Sequence, residues 1–358
     1  MRPLVATVDL AAIRHNYAQA KRCAPGRRAL AVVKADAYGH GAAMVATALA
    51  EEADGFAVCC VEEARVVRAN APKARILLLE GCFDEEDWRT AVALNLDVAV
   101  QGTEQAERLL MLRSDRQLNV WLKLDSGMHR LGFSAEEIRH WAERLRAAPQ
   151  VAEVNLISHL ACADERGHEL TGQQLDCYVD LQDVAFDQRS FANSAAVLTF
   201  APAHMDWVRP GIMLYGASPF TGMSAAELGL TPAMSLTAQI IALHDVPAGE
   251  GVGYGAAWVA QRPSRIATVS CGYADGYPRH APSGTPVVVR GRRVPLAGRV
   301  SMDMLAIDVT DLPEARIGDA VELWGAQLSV DEVAKAAGTI GYELLTKVTA
   351  RVRREYRS

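Results

Sequence analysis

The chain contains no block or stripe of basic residues: its 37 Lys and Arg and 43 Asp and Glu are interspersed, for a net charge of -6. That excludes the electrostatic footprint of a nucleic-acid-binding protein. No window approaches the ~20 consecutive apolar residues of a membrane span. The opening MRPLVATVDL carries neither an apolar signal core nor a cleavage site, so a cytoplasmic protein with no membrane partner is expected. The seven cysteines are odd in number and never fall in C-x-x-C spacing, which argues for reduced packing residues rather than a disulfide framework or a metal site. Cys271 alone sits in a motif, CGYADGY, that could bring its thiol near a site. A Gly-rich dinucleotide turn is missing too, because GVGYG at Gly251 to Gly255 lacks the third glycine at the required spacing. There is no fixed-period repeat and no low-complexity linker, so two domains, if present, share a fixed interface.

What the chain does have is apolar content, 50% over 358 residues, enough for one large domain and a smaller second one. Between Leu30 and Tyr215, eight short apolar runs (ALAVVK, GFAVCC, RILLLE, LDVAV, NVWLKLD, VNLISH, RSFANS, GIMLYG) alternate with stretches long enough for crossover helices, such as Ser134 to Ala147. Eight strand-helix units spell an α/β fold, a (β/α)8 TIM-type barrel, whose usual size of ~250 residues fits this portion. After about Leu230 the texture changes to Val-, Thr- and Gly-rich runs with many turns, broken by one helical stretch at Val330 to Ala337. We read a barrel over residues 8–230 and a mostly β C-terminal domain over 231–358, with residues 1–7 as candidates to join the latter.

The segment ALAVVKADAYGHG, Ala29 to Gly41, runs apolar and stops at Lys34. A lysine at the end of a buried strand either snorkels to solvent or loses its charge to burial, which leaves a neutral amine able to attack a carbonyl. Parallel barrels gather their active sites at the carboxyl ends of the strands. Lys34 ends the first run, Arg130 follows the fifth, His159 closes the sixth, Asn193 and Ser194 follow the seventh, and Arg209 comes just before the eighth. Ser194 with Ala195, and Gly211 with Ile212, offer backbone N–H groups where barrels often hold a phosphate. Together with the lysine they suggest a phosphorylated aldehyde cofactor.

At this point the chain resembles a family. KADAYGHG, LDSGMHRLG, ANSAA, DWVRPGIMLYG, VGYGAAW, GYADGYPR and GRVSMDM occur in the order in which similar segments occur in bacterial alanine racemases, from the first residues to Tyr342. The resemblance implies pyridoxal 5'-phosphate (PLP) on Lys34, interconversion of L-alanine and D-alanine for peptidoglycan or for alanine catabolism, and a homodimer whose subunits share each active site. Racemisation needs two proton-transfer groups on opposite faces of the α-carbon. The resemblance assigns these to Lys34 and to Tyr254 of the partner subunit. It also places Arg209 at the pyridine nitrogen, His159 beside Arg209 and Tyr254, and Arg130 at the cofactor's phenolic oxygen and the substrate carboxylate. Tyr38, Ser194, Gly211, Ile212 and Tyr342 match the phosphate set, while Met302 and Tyr273 match partner residues that bound the substrate pocket. Lys123 matches a lysine that is carbamylated in many members and orients the arginine, and Asp303 matches a carboxylate near the site. Ser301 departs from the pattern conservatively, standing where some members carry cysteine.

Two other classes of reading compete. A PLP-dependent decarboxylase needs no second base and commonly sets a carboxylate on the pyridine nitrogen, so Arg209 and Tyr254 argue against it. A non-catalytic PLP carrier resembles the barrel half alone, and this chain adds VGYG, GYADGY and SMDM. A broad-specificity racemase usually brings a secretion signal, which is not seen here.

Overall fold

A computed structural model describes residues 2–358. Strand β1 (Leu4–Asp9) comes first, and Asp9 then caps the helix Leu10–Cys23 by accepting the N–H of Ala12 at 2.9 Å. Eight parallel strands follow: β2 (Arg28–Val32), β3 (Gly55–Val58), β4 (Ile76–Leu78), β5 (Asp97–Val100), β6 (Leu118–Lys123), β7 (Val151–Ile157), β8 (Arg189–Ser190) and β9 (Trp207–Val208). They close into a barrel when β2 pairs with β9 through Arg28 with Trp207 and Ala29 with Val208. Strands β3, β4 and β5 are buried along their whole length, as apolar strands covered on both faces must be. The helix Ala135–Arg146 starts at a capping box, Ser134 with Glu137, within the stretch read as a crossover helix.

The eighth strand corrects the sequence reading. GIMLYG is not a strand; Ile212–Tyr215 forms a buried 3-10 turn, and β9 lies upstream at Trp207–Val208. Arg209 therefore follows the eighth strand rather than preceding it. Pro210 still accepts the N–H of Val32 at 3.0 Å but has no N–H of its own to extend the ladder. The following chain is turned inward by Ser194, whose Oγ accepts from Gly211 N at 2.8 Å and Met213 N at 3.4 Å. A short buried apolar run fits a strand or a helical turn equally well by pattern alone.

The second domain holds β10 (Met234–Val246), the hairpin β11 (Gly251–Val252) and β12 (Trp258–Val259), then β13 (Ser264–Val269), β14 (Pro286–Val289), β15 (Arg292–Pro295), β16 (Leu305–Asp308), β17 (Ala320–Trp324) and β18 (Arg353–Arg357). Its eight-stranded sheet runs β15-β14-β17-β10-β1-β18, with β13 and β16 attached through β10. β1 thus joins this sheet, antiparallel to β10 and parallel to β18. Two helices, Val330–Ala336 and Gly341–Thr346, interrupt the strands, the second unforeseen. No helix among the described residues is long and apolar enough to cross a membrane.

At the amino end of the barrel strands, Arg75 reaches Asp97 and Glu153, each at 2.6 Å, and lies over the rings of Trp121 and Trp207. Asp97 also accepts from Trp121 Nε1 at 2.8 Å and Asn119 at 3.0 Å. This plug lies away from the rim where the site gathers, so it bears on stability. Asp97→Ala removes one of the two carboxylates on Arg75 and leaves Trp121 Nε1 and Asn119 without their acceptor, and should cost about 2 kcal/mol in urea unfolding. Turnover per folded molecule should not change.

Candidate active site

The site begins with a backbone that L-residues avoid. Directly after Lys34, Ala35, Asp36, Ala37 and Tyr38 all have φ between 51° and 54°. Each such residue costs roughly 1–2 kcal/mol, so the turn must be held from outside. Glu63, in the first turn of the helix Val61–Asn70, accepts the N–H of Ala35 at 2.6 Å and that of Cys59 at 2.8 Å. Asp36 accepts from Ala42 N at 2.7 Å. From the β domain, Arg354 donates to the carbonyl of Gly39 at 2.8 Å. Gly39 has φ 81°, and a Cβ there would lie 2.2 Å from the carbonyl oxygen of Leu345, so the close approach requires glycine. None of these partners carries a spacing signal in the sequence.

Lys34 opens onto a cavity of about 740 Å³ at the carboxyl ends of the barrel strands. Tyr38, Lys123, Arg130, His159 and Arg209 share its wall with Lys34. Asn193, Ser194, Gly211 and Ile212 form the wall after β8 and β9, and Tyr342 closes it from the helix Gly341–Thr346. The rim residues expected from strand-end position are thus brought together, with one correction. Lys34 is half-buried rather than enclosed, because the strand ends two residues earlier and the turn lifts the side chain into the cavity. Arg130 is exposed within the single chain.

Arg209 is buried, and its partners are all neutral. Its guanidinium donates to Ser190 Oγ at 2.6 Å and to the carbonyls of Ser158 at 2.5 Å and Phe191 at 3.3 Å. It also lies 3.4 Å from His159 Nδ1. Burial lowers its pKa to about 9, which leaves it protonated at neutral pH. Burial and the neighbouring cations Arg209, Lys123, Arg130 and Lys34 push His159 well below its ordinary value, so the ring is neutral. With Nδ1 accepting from Arg209, the ring proton belongs on Nε2. Lys123 is enclosed by protein but opens to the cavity; burial, Arg209 and Arg130 bring its pKa down to about 7. The loop carrying Arg130 is tied down by Asp125, which accepts from Gly127 N and His129 N, each at 3.0 Å.

Beside these cations lies a cradle of hydrogen-bonding groups. The Ser194 hydroxyl receives the backbone of Gly211 and Met213, and Tyr38 stands over Gly211 so closely that a Cβ there would meet its hydroxyl at 2.7 Å. Tyr38 stacks on Tyr215 at 4.8 Å and tilts against Tyr342 at 6.0 Å. Burial raises the Tyr38 hydroxyl to about 12 and Tyr342 higher still, so both remain O–H donors. Arg130, Arg209 and Lys123, the primary amine of Lys34 and a cradle of hydroxyls and N–H groups suit a ligand with a phosphate at one end and an aldehyde at the other. The residues present fit PLP.

Tyr254, Tyr273 and Met302 do not line this cavity; they are 68%, 39% and 54% exposed. Tyr254 stands in the short turn Tyr254–Ala256, carried by the β11–β12 hairpin between Gly253 and Gly255, both left-handed. Asp303 accepts from Arg351 at 2.7 Å. Cys271 is fully buried, and desolvation and Asp275 raise its thiol far above the ordinary value, so it is an inert packing residue. Among the described residues no cluster of His, Cys, Asp and Glu could hold a metal.

A closed barrel with a lysine and a phosphate cradle on its rim, joined to a β domain that supplies part of the wall, defines the class: a barrel enzyme built around a phosphorylated aldehyde cofactor. The models of the alanine racemase N-terminal and C-terminal domains match residues 8–219 and 233–356. The chain is 69% identical to "Alanine racemase, biosynthetic" of Pseudomonas aeruginosa, over 99% of each. It superposes on the crystal structure of that organism's biosynthetic alanine racemase with a TM-score of 0.99, at 68% identity and with 100% of both chains covered. The Bartonella henselae alanine racemase, solved with covalently bound pyridoxal phosphate, matches with a TM-score of 0.91 and 30% identity, again over 100% of both chains. The chain belongs to the alanine racemase family.

The crowding at Gly211 supplies a test. Gly211→Ala must displace the Tyr38 hydroxyl, and should weaken PLP binding about tenfold, read by titrating cofactor absorbance into the stripped protein.

Proposed function

We propose a division of labour among the residues of this cavity for alanine racemisation, the reaction that family membership assigns. The enzyme is a PLP-dependent isomerase that interconverts L-alanine and D-alanine. The same reaction supplies D-alanine for peptidoglycan or serves alanine catabolism, and relatives are named for each role. PLP, when bound, supplies an electron sink that acidifies the α C–H of the amino acid.

Lys34 holds the cofactor and then serves as the acid–base group on one face of the α-carbon. Tyr254 of the partner subunit serves the other face, taking the proton from L-alanine, while Lys34 takes it from D-alanine. The observation that carries this reading is the pair of placements: one chain brings Lys34 into the cavity but leaves its own Tyr254 exposed outside it. A homodimer that exchanges these hairpins completes both sites. Neutral His159, with its proton on Nε2, donates toward the partner subunit's Tyr254 and stabilises the phenolate oxygen when that hydroxyl has given up its proton.

Arg209 would face the pyridine nitrogen of bound PLP. Held by neutral acceptors and charged at neutral pH, it would not pass a proton to that nitrogen, which would keep the sink weak and disfavour side reactions such as transamination. Tyr38, Ser194, Gly211, Ile212 and Tyr342 bind the phosphate. Arg130 orients the phenolic oxygen and the substrate carboxylate, and Met302 and Tyr273 of the partner subunit bound the substrate pocket. Seven free cysteines, none in a disulfide, suit a cytoplasmic setting.

Lys123 is the one position where we propose a modification. As a free amine it faces Arg130 and Arg209, a like-charge arrangement. At a pKa of about 7 much of it is neutral at physiological pH. Its Nζ lone pair can form a bond to the carbon of CO2, releasing a proton to solvent and leaving a carbamate anion between the two arginines. High-resolution density should show that carbamate; a bare amine in crystals grown with bicarbonate would overturn it.

Lys34→Ala should lose the bound-cofactor absorbance and nearly all activity, whereas Tyr254→Phe should keep the cofactor and lose most racemisation. Mixed dimers of the two should regain activity. Solvent deuterium should enter the α-position of either alanine enantiomer with the unaltered enzyme; cofactor binding without such exchange would point to a carrier.

A further inference from the structure

We propose that Asp275, clamped between Arg2 and Arg351, is a positioning residue that presents Tyr273 and Met302 to the active site of the partner subunit. The inference rests on the shared-site reading above. Asp275 has no exposed surface, and none of the assigned roles uses it. Its Oδ2 accepts the N–H of Gly272 at 2.9 Å. Its Oδ1 pairs with Arg2, near the start of the chain, and lies 3.2 Å from Nε of Arg351, near its end. Arg351 also donates to the carboxylate of Asp303 at 2.7 Å, and Arg2 donates to the Asp303 carbonyl. One buried carboxylate and two guanidinium groups thus tie the turn bearing Tyr273 to the loop bearing Met302.

The backbones of those two segments are knotted directly. Tyr273 N and Ala274 N donate to the carbonyls of Ser301 and Met302, each at 3.0 Å. A Cβ at Gly272 would lie 2.4 Å from both of these carbonyl oxygens. The side chains of Tyr273 and Met302 nevertheless remain exposed, so the rigidity is spent on groups that contact nothing enclosing them in their own chain. Thr349 N donates to the Asp275 carbonyl at 3.1 Å and extends the clamp toward the helix Gly341–Thr346. That helix carries Tyr342 into the chain's own cavity. The clamp is therefore anchored on one active site while it presents residues to the other. A buried ion cluster is weak evidence for stability by itself, and fixing geometry is a better-supported use. It also gives Asp303 a task.

The test separates action across the interface from a purely structural role. Asp275→Asn removes the charge at constant shape, and Arg351→Met removes one arm at a half-exposed position. Both homodimers should retain PLP absorbance and lose kcat/KM by up to about 100-fold, the scale of a displaced positioning group. Each variant is then mixed with Lys34→Ala, whose clamp is intact, and mixed dimers are isolated. One site per mixed dimer should recover wild-type kcat/KM, since its lysine comes from one subunit and its clamp from the other. Recovery supports the proposal. If the clamp mixtures stay impaired while Tyr254→Phe with Lys34→Ala recovers, the clamp acts within its own chain and the proposal fails alone. If neither kind of mixture recovers, the shared-site reading fails and the clamp's action across the interface falls with it. Wild-type kcat/KM in the Arg351→Met homodimer would also overturn it. Should Asp275→Asn fail to assemble, the Arg351→Met pair decides.

Discussion

Everything at this site depends on four consecutive left-handed residues, Ala35 to Tyr38, that follow Lys34. No local sequence preference favours them, and each stands against the chirality of L-amino acids. The turn persists because two domains grip it. Glu63 takes the first N–H from the barrel side, while Leu345 and Arg354 crowd and bond Gly39 from the β-domain side. The second domain is thus part of the lysine's own support, besides supplying Tyr342 to the cavity wall. Strain held this way is a form of preorganisation, with the cost met in folding rather than at the moment of reaction.

The second governing feature is charge. Lys34, Lys123, Arg130 and Arg209 share one cavity, and Arg209 is met by hydroxyl and carbonyl oxygens rather than a carboxylate. Burial and mutual repulsion lower Lys123 and keep His159 neutral. Anions relieve that field, which is why a phosphate and a substrate carboxylate suit the cavity. The same reasoning separates the two ends of the barrel. At the opposite end Arg75 is paired with Asp97 and Glu153, and the opposite charges there close the structure rather than bind anything.

Much of this was legible along the chain, and the reasons differ residue by residue. The barrel could be read because strands covered on both faces are apolar throughout and recur between helices. Lys34, Arg130, His159 and Ser194 could be picked out because polar residues at strand ends of a barrel face the site. GIMLYG deceived because a short apolar run says only that it is buried, and Ser194 turned it into a helical bend. Glu63 and Asp275 left no trace, since a carboxylate in a first helical turn or a tight turn is ordinary until its partner is known. Tyr254, Tyr273 and Met302 entered through resemblance alone, because no periodicity marks an exposed residue that lies outside its own chain's cavity.

By itself, then, the sequence determined seven of the eight barrel strands, the change to a β domain, and the motifs that place the chain in its family. These are local properties, set by burial pattern and residue chemistry within a few positions. Only the tertiary structure decided that the turn after Lys34 is left-handed, that Arg209 follows the last barrel strand, and that Arg2 and Arg351 meet at Asp275. Those outcomes come from contacts between residues distant in sequence, from 17 positions for Ser194 and Gly211 to 315 for Gly39 and Arg354, and such contacts exist only once the chain has folded.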